Sequence, residues 1–461
     1  MALPARRIFE FETTTFMDYI ANLEPFFMKV YNVLDVGNLS LFEMIEALKK
    51  NGISQCDPAM LSKIIEDKLC AALGEVNCPE CAAKAHVNKR RNVHVTTTLG
   101  KLSFAASYYS CPKCGLCFDP GAVMLGLRSG PLQYDVQKVA AKIASTAPFA
   151  ETAEILGDVY GIDISPDAIH ALTSELADFS HVREFAPDPD AIRDIVDEIA
   201  FGKKRRPVLV VAADGAMAPV RTEKGEPHCW KENKGLRIYL VDEERIVHIF
   251  SWHQICSKNE FTDALRSIAD LDLFPEDKVR VCCLGDGAPW IWEAMTAVFP
   301  GARQVLDYYH CAKHLHDFMK VRFSVASEGV SWLKMTKKRL FSNQGRHVIA
   351  GLKRMKLTGE AAKERDRLCT YLSNNLSRID YRKIRKGGYP LGSGAIESAN
   401  KFIGHVRLKR SGAWWTVDSA NNILRLRCAR YNSRFDGYFD AYEREKRPSP
   451  KPSKPRLALV K

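Results

Sequence analysis

The sequence predicts a multidomain α/β protein: a sheet-bearing core that carries an all-helical insertion, preceded by a cysteine-clasped ribbon and a helical region. Three observations lead there. The chain has 461 residues, more than one compact core usually holds. Over residues 207–315, apolar runs and amphipathic segments alternate in the order β-β-β-α-β-α-β-α. Two Cys-x-x-Cys pairs enclose a polar, β-branched stretch.

The bulk numbers narrow the function classes. A composition of 46% hydrophobic and 26% charged residues is that of a globular chain, far from the disordered class. A net charge of +12 and a pI of about 9.0 suit a polyanionic partner, although total charge alone does not separate nucleic acid from a membrane surface or plain solubility. No apolar run approaches the roughly 20 residues that span a bilayer, and the opening MALPARRIFEFETTTF lacks the apolar stretch of a secretory signal. Of 14 cysteines, four form the two pairs and most others lie in apolar stretches, where a reduced thiol packs as a small hydrophobe. A reducing cytoplasm is the expected compartment, with no membrane partner.

Residues 1–75 read as an N-terminal helical region: Phe16, Tyr19, Ile20 and Leu23, then Leu61, Ile64, Ile65 and Leu69, recur at helical spacing. Residues 76–125 switch to cysteines, turn residues and runs such as VHVTTT, the makings of a ribbon. Residues 126–183 return to helical spacing. Within FAETAEILGDVYGIDISPDAIHALTSELADF, Gly161 closes one helix, Ser165 caps the next and Pro166 takes its first position. That outline suits a DNA-binding helix-turn-helix and equally an ordinary helical hairpin. Residues 184–206 read as a linker with one short helix.

The core, residues 207–315, begins with RPVLVVAADG, a continuous apolar run expected of a strand buried on both faces. LRIYLVD and RIVHIFSWH form a hairpin, NEFTDALRSIADL a helix, and VRVCCLGDG a second buried strand. APWIWEAMTAVF is a helix, and RQVLD a last strand leading into the helix YHCAKHLHDFMK. Three antiparallel strands extended by parallel ones is the order of an RNase H-like domain, and other α/β folds stay open. Residues 316–390 are helical and basic, an insertion. Residues 391–434 start at the glycine-rich break LGSGAIES and form a long helix or two. Residues 435–461, ending in KRPSPKPSKPRLALVK, are expected to be a disordered basic tail.

The cysteine pairs are Cys78-Pro-Glu-Cys81 and Cys111-Pro-Lys-Cys114, with 29 residues between them. Four thiolates suit tetrahedral Zn²⁺, and a closed all-cysteine site is structural rather than catalytic. Cys117 is the alternative ligand. Lys89-Arg90-Arg91 would allow the ribbon to touch DNA; holding together a domain too small to fold unaided is zinc's plainer role.

Asp214 and Asp286 close the first and fourth strands, and each precedes a glycine that lets the chain turn. On neighbouring strands they would converge although 72 residues separate them. An Asp-Gly at a strand end is commonly just a turn; two on adjacent strands point to chemistry. Paired carboxylates can hold two Mg²⁺ (or Mn²⁺) ions roughly 3.5–4 Å apart, which activate an attacking oxygen and stabilise a leaving one in phosphodiester chemistry. Such hard cations require oxygen ligands, so a third carboxylate is expected from a nearby helix. Glu397 is the choice, one turn into the helix after Gly392-Ser393-Gly394, with Ser393 as its cap; Glu260 and Glu293 are the other glutamates in range.

The segments VAADGAMAPV, CLGDGAPWIW, VLDYYHCAKHL and LGSGAIESANKFIGHVRLKRSGAWW resemble bacterial insertion-sequence DDE transposases of the ISKra group, distant relatives of Mutator-like elements. The likeness spans residues 206–434 and reaches the ribbon and helices before them in layout only. It implies that Asp214, Asp286 and Glu397 form a metal-holding triad in an enzyme bound to DNA in the bacterial nucleoid. The implied reaction is hydrolysis at the element's ends followed by attack of the freed 3′-hydroxyl on target DNA, without a covalent protein–DNA intermediate. Terminal inverted repeats and target DNA would be the partners, handled by a homodimer or larger assembly. The family's (C/D)-x-x-H signature falls on Asp307 and His310, as auxiliary residues that orient the DNA backbone or polarise a water; Cys311 and His314 match less well. His310 and His314, at i, i+4, would also suit a transition metal, while packing at the sheet edge is the commoner role.

Residues 382–434 hold twelve Lys or Arg against Glu397 and Asp418 alone. Phosphates must be drawn toward an acidic site, so Lys401, Arg407, Lys409 and Arg410 are candidate DNA contacts. Trp414 or Trp415 could stack on a splayed base, although buried tryptophans and solvated charge runs are the more ordinary case. Two competing functions remain: a non-catalytic, transposase-derived DNA-binding protein, and an RNase H-like structure-selective nuclease that cuts without terminal repeats.

Overall fold

The structure is a computed structural model that describes residues 25–179, 185–222, 227–243 and 245–448. The expected helix containing Phe16, Tyr19, Ile20 and Leu23, and the end of the tail, lie outside the described residues. The chain divides into two units: residues 1–144, 148–172 and 440–461 make the first, and residues 145–147 and 173–439 the second.

In the first unit, Ser40 and Glu43 form a capping box that starts the helix Leu41–Lys50, and Asp57 caps Pro58–Ala72 with Pro58 at its first turn. Their apolar faces, with Met44, Ile45, Leu61, Ile65 and Leu69, share one core with Leu102 and Phe104. Those last two belong to a long hairpin of β1 (His86–Thr97) and β2 (Gly100–Ser110), to which β3 (Cys117–Phe118) adds an edge. Farther along, the helices Tyr134–Ala144 and Phe149–Tyr160 and the first turns of Pro166–Asp178 gather Val136, Leu156, Ile162, Ile169 and Leu172. Gly161 ends the middle helix in the left-handed conformation, φ 64°.

The second unit contains a five-stranded sheet of order β6-β5-β4-β7-β8. Its strands are β4 (Val208–Val220), β5 (Cys229–Asp242), β6 (Arg245–Ile255), β7 (Arg280–Gly285) and β8 (Arg303–Leu306). β4, β5 and β6 are antiparallel, while β7 joins β4 in parallel and β8 joins β7 in parallel. The apolar run that opens β4 is buried from Val208 to Ala213, as a central strand covered on both faces must be. The helices Lys258–Ala269 and Pro289–Val298 pack on each other, and Val417–Tyr431 packs on β6. Between β8 and residue 391 the chain is helical, from Tyr308–Arg322 to Tyr381–Lys386.

Three expectations change. β4 does not end at Asp214 but continues to Val220 beside β5, with Asp214 opposite Gly235. Gly215 therefore sits inside the strand rather than in a turn, opposite Lys234 and beside the Glu232 side chain. The tail expected to be disordered from residue 435 is a helix over Phe435–Lys446. Phe435, Tyr438, Phe439 and Tyr442 fall at i, i+3, i+4 and i+7 and are 0–3% exposed, an apolar stripe hidden among charges. Residues 391–434 hold no continuous long helix at their start. A short helix, Gly394–Ala399, passes into a π-helical turn over Asn400–His405, then Val406–Leu408, before Val417–Tyr431. Among the described residues, no helix is long and apolar enough to cross a membrane.

Candidate active site

Strand register brings the acids together. β4 and β7 pair from Val208 opposite Arg280 to Ala212 opposite Leu284, and β7 and β8 from Cys282 opposite Arg303 to Gly285 opposite Leu306. Carried one or two residues on, that register sets Asp214, Asp286 and Asp307 on one line across three adjacent strands, within β4 and just past the ends of β7 and β8. The Asp307 N–H still donates to the Gly285 carbonyl at 2.8 Å, so the ladder reaches that line. Parallel partners in one register face the same side of a sheet.

Each carboxylate is then held differently. Asp214 accepts the Gly215 N–H on Oδ1 at 2.9 Å and the Asn400 side-chain amide on Oδ2 at 2.8 Å. At Asp286 the chain leaves the sheet through Gly287, φ 108°, with Oδ1 accepting the Ala288 N–H at 2.9 Å. The Tyr371 hydroxyl donates to the Asp286 carbonyl at 2.9 Å. Asp307 is fully buried and caps the helix Tyr308–Arg322. Its Oδ1 accepts the His310 N–H at 2.6 Å and lies 3.2 Å from His310 Nδ1, while Oδ2 accepts the Ser393 N–H. Glu397 sits in the first turn of its helix, and its Oε1 accepts the Ser393 hydroxyl at 2.7 Å. Ser393 thus braces the glutamate itself, where sequence had made it a helix cap.

Electrostatics reports the same convergence. Asp214 is pushed up to about 6, first by burial and then by the charge of Asp286, with Glu397 adding to it against the Gly215 N–H and His310. Burial also works to raise Asp307, but hydrogen bonds from His310 and Ser393 win and hold it below the ordinary carboxylate value. His310 is raised, chiefly by its bond to Asp307, against burial and with help from Asp286 and Asp214.

One compact set of possible metal ligands lies here. Ligand atoms of Asp307, His310 and Glu397 lie within 4.8 Å of one another, and Asp214 and Asp286 stand outside that tight set. Asp307 and Asp214 each have both oxygens hydrogen-bonded, but Asp307 has none of its surface exposed while Asp214 is half-buried. Asp286 Oδ2 and Glu397 Oε2 have no hydrogen bond among the described residues, Asp214 and Asp286 are half-buried, and Glu397 is exposed. Asp214, Asp286 and Glu397 are an all-oxygen donor set, which fits a hard dication such as Mg²⁺.

Other sequence-picked residues fall elsewhere. Glu260 completes the capping box of its helix with Ser257, and Glu293 pairs with Lys258 at 3.1 Å. His314 is in neither metal-binding set, and its ring lies 4.1 Å from that of Tyr371. Cys311 is buried, which pushes its thiol up to about 12. Lys401, Lys409 and Arg410 are exposed. Arg407 is the exception among the candidate DNA contacts: it is 3% exposed, with its guanidinium over the Trp415 ring at 4.6 Å. Trp415 is buried too, and its indole N–H donates to the Leu408 carbonyl. Trp414 stacks near His228 at 4.6 Å and lies 6.1 Å from Trp230, which is 52% exposed. Trp230, Asn400 and His253 were not singled out by sequence; the only signal for Asn400 is its place three residues after Glu397, on the same helix face.

In the first unit, the thiols of Cys78, Cys81, Cys111 and Cys114 all lie within 4.8 Å of one another, with Cys78–Cys114 and Cys81–Cys111 each at 3.5 Å. Tetrahedral zinc with Zn–S near 2.3 Å sets its sulfurs about 3.8 Å apart. Each pair sits in a tight knuckle, closed by Cys78 N–H to Ala83 O and Cys111 N–H to Leu116 O, both at 2.8 Å. The four residues fit zinc. Cys117 is exposed on β3 and outside the set.

These features define a mixed α/β protein with a carboxylate cluster at one edge of its sheet and a separate four-cysteine site. No protein-family model matches the chain, and no curated protein does. Among solved structures it is similar to the Drosophila P element transposase strand transfer complex, at 11% identity and a TM-score of 0.25, over 69% of this chain and 82% of that one. A likeness of that size carries no functional weight, and the carboxylate geometry must supply it.

Proposed function

We propose that the chain is a DDE transposase of the ISKra-like insertion-sequence type, built on an RNase H-like sheet. In this reading Asp214, Asp286 and Glu397 hold Mg²⁺ or Mn²⁺ and direct DNA cleavage at element ends and strand transfer into target DNA. The observation that carries it is the register line of Asp214, Asp286 and Asp307, with Glu397 latched beside it through Ser393. The bound cations would supply an activated attacking oxygen and charge neutralisation at the scissile phosphate. The protein's own groups do the rest. Asp307 anchors the glycine-rich break and holds His310 in place, and His310 presents a polar, readily protonated ring to a phosphate oxygen. Lys401, Lys409 and Arg410 draw the backbone in, and the exposed Trp230 with the half-buried Trp414 offers ring faces to an unstacked base. The zinc-held ribbon and the helix pair around Gly161 are proposed to read the element's ends, two chains acting together.

The tight Asp307, His310 and Glu397 set favours a second reading, a single transition-metal centre; the complete burial of Asp307 weighs against it.

The test is a supercoiled plasmid carrying the element's own ends. Wild-type protein with Mg²⁺ should cut at those ends. Asp286→Asn should bind the same DNA with similar affinity and cut it about a thousand-fold more slowly. Undiminished cutting by the variant overturns the assignment, and wild-type cutting that ignores the ends favours the nuclease alternative.

A further inference from the structure

We propose that Asn400, backed by His253, is the positioning residue for Asp214: it ties up one carboxylate oxygen and thereby fixes how Asp214 presents itself to the metal. The inference rests on the function proposed above.

Asn400 and His253 are 3% and 1% exposed, and neither is needed as a surface group. The Asn400 amide donates to Asp214 Oδ2 at 2.8 Å, and its carbonyl oxygen lies 2.8 Å from His253 Nε2. An ionised carboxylate only accepts, so the amide must turn its N–H to Asp214 and its oxygen to His253. His253 Nε2 therefore carries the proton and donates. Burial pushes the His253 pKa down to about 3, which keeps the ring neutral with a single N–H to give.

The sheet is built to admit this relay. Gly235 of β5 is the register partner of both Asp214 on β4 and His253 on β6. A Cβ at Gly235 would sit 2.5 Å from Asn400 Oδ1 and 2.6 Å from His253 Nε2. The missing side chain is the gap through which Asn400 reaches both neighbours. Asn400 also opens the π-helical turn that follows Glu397, and such turns re-aim side chains at functional sites. One short segment thus carries an acid of the triad and the amide that orients another.

The experiment uses full-length Asn400→Leu, His253→Leu and His253→Gln. Mn²⁺ binding is measured directly, without DNA, by electron paramagnetic resonance, beside thermal melting and cleavage as a function of Mn²⁺. Losing a partner that orients a metal ligand weakens metal binding by about 10–100-fold. Asn400→Leu and His253→Leu should show that loss, and should need correspondingly more Mn²⁺ for half-maximal cleavage. His253→Gln, which retains an N–H donor, should recover most of the affinity lost in His253→Leu. A merely structural role would lower the melting temperature with Mn²⁺ affinity unchanged, and that result overturns the inference. If Asn400→Leu does not fold, the two His253 variants decide alone: equal Mn²⁺ affinities in both overturn it. Wild-type protein that binds Mn²⁺ in this Asn400-dependent way yet never cuts DNA would sink the transposase reading and leave the inference standing.

Discussion

Asp307 joins three parts of the second unit through one carboxylate. Sequence marks it as an auxiliary acid; the structure makes it the anchor between β8, the helix Tyr308–Arg322 and Ser393. Asp307→Ala should destabilise the second unit by about 2–4 kcal/mol, because it removes a helix cap and leaves the buried Ser393 N–H unpaired. Urea denaturation measures this, and a loss below about 0.5 kcal/mol contradicts the anchoring role. Asp214 and Asp286 stand out in the sequence because each follows a buried apolar run and precedes a glycine, and Glu397 because it follows a glycine-rich break. Asn400 and His253 do not, since an amide and a buried imidazole carry no spacing that announces a partner. Arg407 and Arg427 illustrate the opposite failure: a run of positive charge does not reveal which arginine turns inward, and these two are 3% and 9% exposed.

Among elements, the buried strands were the plainest in the sequence, because a strand covered on both faces has no polar alternation to confuse it. Where β4 ends was not, since Asp-Gly marks a turn and a close approach equally well. The helix Val417–Tyr431 is fastened to β6 by its C-terminal Asn432, whose Oδ1 accepts from His248 Nε2 at 3.0 Å and from the Ser251 N–H at 2.8 Å. Burial pushes the His248 pKa down to about 4, only partly offset by Asn432. The folded state therefore resists the proton that the unfolded chain accepts below about pH 6.5. The corresponding stability is complete at neutral pH and is lost as pH falls from about 6.5 toward 4. Between pH 7 and pH 5 the wild type should lose about 2 kcal/mol that His248→Gln does not lose. Denaturation of both proteins at the two pH values checks this, and parallel losses would contradict it.

At the scale of the whole molecule, the sequence was legible as a succession of segments, and the two units are not successive. The first unit takes in residues 440–461, and within it Gln137 donates to the Tyr442 hydroxyl at 3.0 Å across 305 positions of chain. No local pattern encodes such a closure. The cysteine pairs were readable because their spacing is itself the chemistry. One zinc ion per chain is expected; a chelator should expose the ribbon to protease, Cys78→Ser should lose the metal and Cys117→Ser should keep it. Loss of zinc from Cys117→Ser, measured by elemental analysis, would redraw the site. The central claim, that Asp214, Asp286 and Glu397 meet around divalent metal, is tested most directly by iron-directed cleavage. Full-length protein is loaded with Fe²⁺, treated with ascorbate and peroxide, and its fragments are mapped by mass spectrometry. Scission beside all three residues, suppressed by excess Mg²⁺, is the predicted result; scission confined to the neighbourhood of Asp307, His310 and Glu397, or none at all, would contradict it.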